Sequence, residues 1–179
     1  MNPNACQPYS SLLDDVVLHH DEYNPFIAQS KNKNERNHRL LLEMIAEEST
    51  CPRWRYYQVR DYLHTMTLED VDSCLRDIGW GPQHHQAVDQ IMSTLMLSSV
   101  MHSRLDVLNR LLGLTEGDSR YSTERALCQI TLEHLAGGEP YRQRQALEAL
   151  RQRCALPEGK VTFTSRAFDT LETWLKAQE

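Results

Sequence analysis

The sequence predicts an all-α protein: an irregular single-domain helical bundle of about seven to eight helices, with a long central helix near 83–112. Apolar residues recur at helical spacing from end to end, while the alternation of a strand is almost absent. Apolar residues make up 40% and charged residues 25% of the 179, a balance that can bury a core and excludes wholesale disorder. No repeat of fixed period recurs, which favours a bundle over a solenoid. Residues 1–10 read as a flexible N-terminal segment and 11–179 as one helical domain.

The elements follow in order. Ser11-Leu12-Leu13-Asp14 has the spacing of a capping box, and Leu13, Val16, Val17 and His20 form one face of a helix that ends near Tyr23-Asn24-Pro25. Asn24-Pro25-Phe26 is a turn with a buried Phe, and the polar run 30–34 an exposed loop. A helix over 35–48 buries Leu41, Leu42, Met44 and Ile45. The next starts after Ser49 or Thr50, with Pro52 in its first turn, where a missing N–H costs nothing, and carries Tyr56, Val59, Leu63 and Met66. Thr67 caps a helix whose acidic first turn suits the dipole, with Val71, Cys74, Leu75 and Ile78 as its stripe and Gly79 as its stop. Trp80-Gly81-Pro82 turns the chain.

Between Gln83 and Leu112 nothing breaks a helix, but the apolar face reverses. Val88, Ile91, Met92 and Leu95 lie on one side, and Leu97, Met101, Leu105, Leu108 and Leu112 on the other. One central helix contacted by different neighbours accounts for this, and it predicts Leu95, Leu105 and Leu108 buried together. The alternative is a break near Ser98-Ser99. Ser122 or Thr123 then caps a helix with Leu127, Ile130 and Leu135 that stops at Gly137-Gly138. Pro140 to about Cys154 follows, with Ala146, Leu147, Leu150 and Cys154 inward. Residues 160–164 have extended character without a partner strand, so a loop or at most a hairpin edge is expected. A last helix from Ser165 carries Phe168, Leu171, Trp174 and Leu175.

Nineteen Lys and Arg against 25 Asp and Glu leave a formal charge of −6, so a surface built wholly for phosphate backbones is excluded and any nucleic-acid contact must be local. The acid excess sits in residues 1–50. The start lacks the basic and apolar regions of a secretory signal and no stretch is long enough to span a membrane, which makes the cytoplasm the expected location. Cys6, Cys51, Cys74, Cys128 and Cys154 are odd in number and widely spaced, so buried free thiols are expected rather than disulfides or a zinc ribbon.

His19-His20 and His84-His85 invite a metal reading, but adjacent helical residues point about 100° apart and the ligand spacing His-x-x-x-His is missing. No nucleophile elbow, Gly-rich phosphate loop or cysteine-protease context is present. The sequence therefore assigns no catalytic residue, metal or cofactor. Two cationic stretches remain. Arg53, Trp54 and Tyr57 come from a segment that interleaves cations with rings, residue types that recur at protein interfaces and in single-strand nucleic-acid sites. Arg142, Arg144, Arg151 and Arg153, with only Glu148 against them, make 140–154 the most basic element. Together with the preceding helix and turn it has a helix-turn-helix outline, although Arg144 and Arg151 could instead pair with Glu148. The function expected is a non-enzymatic protein-protein interaction module, an adaptor, chaperone, effector or regulatory protein. The alternative is a nucleic-acid-binding or transcriptional regulator using 140–154, and an enzyme with an unrecognised site is weaker. The partner expected is another protein, not a membrane, with self-association open.

Overall fold

A few local devices set where helices start and stop. The computed structural model describes residues 32–81, 86–154 and 162–177. Along these run α1 (Lys33–Glu47), α2 (Pro52–Tyr62) continuing into a 3-10 turn (Leu63–Thr65), α3 (Leu68–Asp77), α4 (Gln86–Met101), α5 (Leu105–Leu114), a second 3-10 turn (Ser119–Tyr121), α6 (Ser122–Leu135), α7 (Pro140–Arg153) and α8 (Phe163–Lys176). Among the described residues there are eight α-helices and no strand. The expectations for 1–10, for a helix at 11–23, for the Asn24-Pro25-Phe26 turn, and for Cys6, His84 and His85 fall outside the described residues. By backbone contacts the chain divides at Asn37/His38. Of the first unit only the start of α1 is described, and apart from Lys33 and Asn34 everything below concerns the second.

Two starts carry side-chain caps, whereas the cap expected at Ser122 or Thr123 is not formed: Tyr121 stands at the N-cap of α6, makes no side-chain cap bond, and Ser122 is already helical. Thr67 and Asp70 form a reciprocal box, each side chain bonding the other's backbone N–H, and Thr162 with Ser165 repeats it before α8. Pro52 and Pro140 open α2 and α7 at positions where no N–H is needed. Three helices end in the same Schellman geometry, in which the residue after the cap turns left-handed and two amides close back on the last turn. At α3 the pair is Gly79 N–H to Arg76 O and Trp80 N–H to Leu75 O; at α6 it is Gly137 to His134 and Gly138 to Glu133. Gly79 and Gly137 have φ of +69° and +78°, which glycine adopts without strain.

The third stop corrects the expected long helix. At α4 the left-handed residue is Ser103, at φ +52°, with Ser103 N–H bonded to Val100 O and Arg104 N–H to Ser99 O. The segment 83–112 is thus not one helix but contains two, α4 and α5, and the turn lies at 102–104 rather than at Ser98-Ser99. Leu95 and Leu108 are fully buried as expected, but Leu105, the first residue of α5, is 44% exposed. The face reversal was the trace of this break.

α4 is the hub, packed against α2, α5, α6 and α8. From Thr94 to Val100 every residue is buried, so this stretch is enclosed on all sides. Its hydroxyls are accommodated by the helix itself: Thr94 donates to Gln90 O (2.7 Å) and Ser99 to Leu95 O (2.6 Å). The same core takes in Val59 and Leu63, Val71 and Cys74, Leu127, and Phe168 and Leu171.

Several expected inward residues are not inward. Leu42, Leu135 and Ala146 are exposed, and Met44 is only half-buried. Lys33 and Asn34 belong to α1 rather than to a loop. Phe163 and Thr164 are helical, because Thr162, a β-branched residue that suggested extension, is the cap of α8. Of the described cysteines, Cys74 and Cys128 are buried free thiols, with burial pushing both up to about 12, whereas Cys51 and Cys154 are half-buried.

Candidate partner-binding face

α2 is sorted by angle. At about 100° per residue, Tyr57 and Arg60 fall within roughly 40° of Arg53, with Trp54 and Tyr56 flanking, while Arg55, Gln58 and Val59 point to the opposite side. The inner face is accordingly buried at Arg55, Gln58 and Val59. Arg55 fixes the helix: its guanidinium donates to Ser49 O (3.1 Å), to Gln58 Oε1 (2.9 Å) and to the Asp77 carboxylate at the end of α3. Such a charge is tolerated inside because its donors meet acceptors.

The outer face is a ladder of cations and rings. The Arg53 guanidinium lies 5.1 Å from the Trp54 ring centroid and 5.9 Å from that of Tyr57. Arg60 lies 4.7 Å from Tyr57 and 5.8 Å from Tyr56. Tyr57 thus serves two cations, and tilted contacts join it to Trp54 (6.4 Å) and Tyr56 (5.8 Å). Trp54 Nε1 donates to Glu48 (3.1 Å), and Arg60 forks onto Asp61 (2.6 and 2.5 Å), which raises the already high affinity of Arg60 for its proton. Arg53 is exposed and makes no ion pair among the described residues. Sequence reasoning placed Arg53, Trp54 and Tyr57 together, and the structure does so. It missed Arg60, whose i+3 relation to Tyr57 was the available signal.

The second cationic set is dispersed. By the same 100° step Arg142 and Arg153 share one side of α7, and Arg144 and Arg151 the opposite side. Arg144 donates to Leu175 O (2.7 Å), at the negative end of α8. Arg151 bridges Asp169 (3.1 Å) and Glu172 (2.8 Å) and covers the Phe168 ring at 5.3 Å. The Arg151 pairing with Glu148 that the spacing allowed is replaced by these contacts with α8. Arg142 pairs with Glu139 (2.8 Å), and Arg153 is exposed. Tyr141, 70% exposed in the first turn of α7, was not anticipated. The α6–α7 connection is held tight: a Cβ on Gly138 would sit 2.6 Å from Gln143 Nε2 and 2.8 Å from Glu133 O.

A cavity of about 860 Å³ opens between α4 and α6, lined among others by Asp89, Ser93, Tyr121 and Glu124. Ser93 donates to Glu124 (2.5 Å), and Tyr121 to Asp89, which also takes Arg120 (3.2 Å). Burial and Asp89 hold the Tyr121 phenol far above its ordinary range, so it stays a donor. Among the described residues no group of three or more His, Cys, Asp or Glu could hold a metal ion, and no helix is long and apolar enough to cross a membrane. Compared with known proteins, the chain matches no family model, no curated protein and no solved structure.

Proposed function

We propose that the chain is a non-enzymatic protein-protein interaction module, of the adaptor, chaperone, effector or regulatory kind, that acts in the cytoplasm and docks another protein on the outer face of α2. The observation that carries this is the Arg53–Tyr57–Arg60 ladder with Trp54 beside it. Trp, Tyr and Arg are the residue types that dominate binding energy at protein interfaces, and rings already braced by cations lose little freedom on contact. A nucleic-acid-binding regulator working through α7 is the second reading. It has less support, because Arg144 and Arg151 are spent on α8.

The test is capture from the native cell with and without nuclease, using the native chain, Trp54→Ala and Tyr57→Ala. Proteins that survive nuclease and are lost with both ring variants are the expected result. Recovery that depends on nucleic acid, or that ignores the ring substitutions, overturns the reading.

A further inference from the structure

Two turns distant in sequence meet beside α2. The 3-10 turn after α2 packs on the 102–104 turn between α4 and α5, and Arg104 closes the joint by donating to the carbonyls of Leu63 (2.9 Å) and Met66 (2.8 Å). The rings of His64 and His102 lie 5.8 Å apart across the same joint, inclined at 45°. Histidine is the side chain whose charge changes between about pH 5 and pH 8.

We propose that this joint is an acid-sensitive latch, closed by neutral His64 and His102 and opened when both take a proton. Charging them places two further cations, His64 and His102, beside each other and beside Arg104, and the repulsion among the three loosens the joint. The opposing charge is Asp106, which Arg104 already engages through two hydrogen bonds (3.0 and 2.8 Å). On the α2 side Asp61 is likewise engaged by Arg60. Tyr62 adds no charge, since burial and Asp61 hold its phenol above the ordinary value. His102 is held below its ordinary value by burial, by His64 and by Arg104, in keeping with the geometry. The sign follows: a histidine depressed in the fold contributes stability at pH above its unfolded value, and that contribution is lost as pH falls through the folded one.

α1 is tied to α2 by a separate contact: His38 stacks on Tyr62 at 4.2 Å with the rings 11° from parallel. The latch opens the 63–66 and 102–104 segments, and this contact is not part of it. The inference stands apart from the docking reading and does not require a partner.

Amide exchange of the full chain at about pH 7.5 and about pH 5, corrected for the intrinsic rate, tests it. The amides of Met66, His102, Ser103 and Arg104, all hydrogen-bonded in the closed joint, should lose on the order of tenfold in protection at the lower pH, with α1 and α8 unchanged. Both rings sit at the joint with an edge open to solvent, so His64→Gln and His102→Gln should be tolerated, and the double variant should abolish the difference while all other histidines are retained. In His64→Gln alone, the NMR titration midpoint of His102 should rise. Equal acid loss in the double variant, loss shared by α1, or a His102 midpoint indifferent to His64 overturns the latch.

Discussion

α2 and α7 carry three and four arginines, and they spend them in opposite ways. In α2 one arginine turns inward and fastens the helix, leaving two on the outside to brace aromatic rings. In α7 two arginines turn toward α8 and fasten the helix there; the other two are exposed without a ring between them. The difference teaches that the cationic load of a helix says little about its surface. What matters is the angle between the cations and what lies beneath each.

The largest effect should come from the inward arginine. Arg55 is almost fully buried, and its removal takes the guanidinium donors away from Asp77, Gln58 and the Ser49 carbonyl together. Arg55→Ala should destabilise the fold by about 2 to 4 kcal/mol in a denaturant titration, toward the range for breaking buried pairs. Arg53→Ala on the outer stripe of the same helix should stay within about 0.5 kcal/mol. Similar costs for the two would end the distinction between the faces of α2.

Next come the rings. Trp54→Ala or Tyr57→Ala should weaken partner binding by more than about 1 kcal/mol, measured by calorimetry once the partner is in hand. The fold should keep its unfolding midpoint to within a few degrees, because both rings are only half-buried. Tyr141→Ala, at an exposed aromatic without a cation ladder, should leave binding unchanged. Loss of binding there instead would move the docking surface to α7.

Much of this architecture could be read in the sequence where a single residue type dictates the backbone. Thr67, Pro52, Gly79 and Gly137 each marked a helix end because each has a local geometric reason to be there. The end of α4 escaped because the same Schellman geometry is carried by Ser103, which pays for a positive φ where Gly would not. Arg104, which fixes that turn, does so through carbonyls about forty positions away, a partner no local pattern reveals. At the candidate site the types Arg53, Trp54 and Tyr57 were readable. That Arg60 completes the ladder and Arg55 leaves it follows from the helical step alone. The engagement of Arg144 and Arg151 depends on where α8 lies, and residues 160–164 had disguised its start.

The inward pair of α7 should show a middling effect. Arg144→Gln with Arg151→Gln removes the ties to Leu175, Asp169 and Glu172. Arg151 is more than a third exposed and its carboxylate partners are wet, so solvent screening discounts their value. The double variant should cost about 1 kcal/mol in denaturant titration. A cost indistinguishable from zero would mean that Leu147 and Leu150 alone hold α7 to the core, and that its arginines are available for other work.

The smallest effect separates the two functional readings. Arg142 and Arg153 share the outward side of α7, and among the described residues the exposed Arg142–Glu139 ion pair alone competes for them. If that side met a duplex, replacing both with Gln would remove two phosphate contacts, and the slope of log affinity against log salt would flatten by about 0.9 for each. With docking on α2, neither cation has such a task. The double variant should then match the native chain in stability to within about 0.5 kcal/mol, since exposed pairs contribute little. Whatever association with duplex DNA is measured should keep the salt slope of the native chain, and partner binding should be unaltered. A flattened slope combined with intact partner binding would give the chain two surfaces. A flattened slope together with lost function would transfer the functional face from α2 to α7.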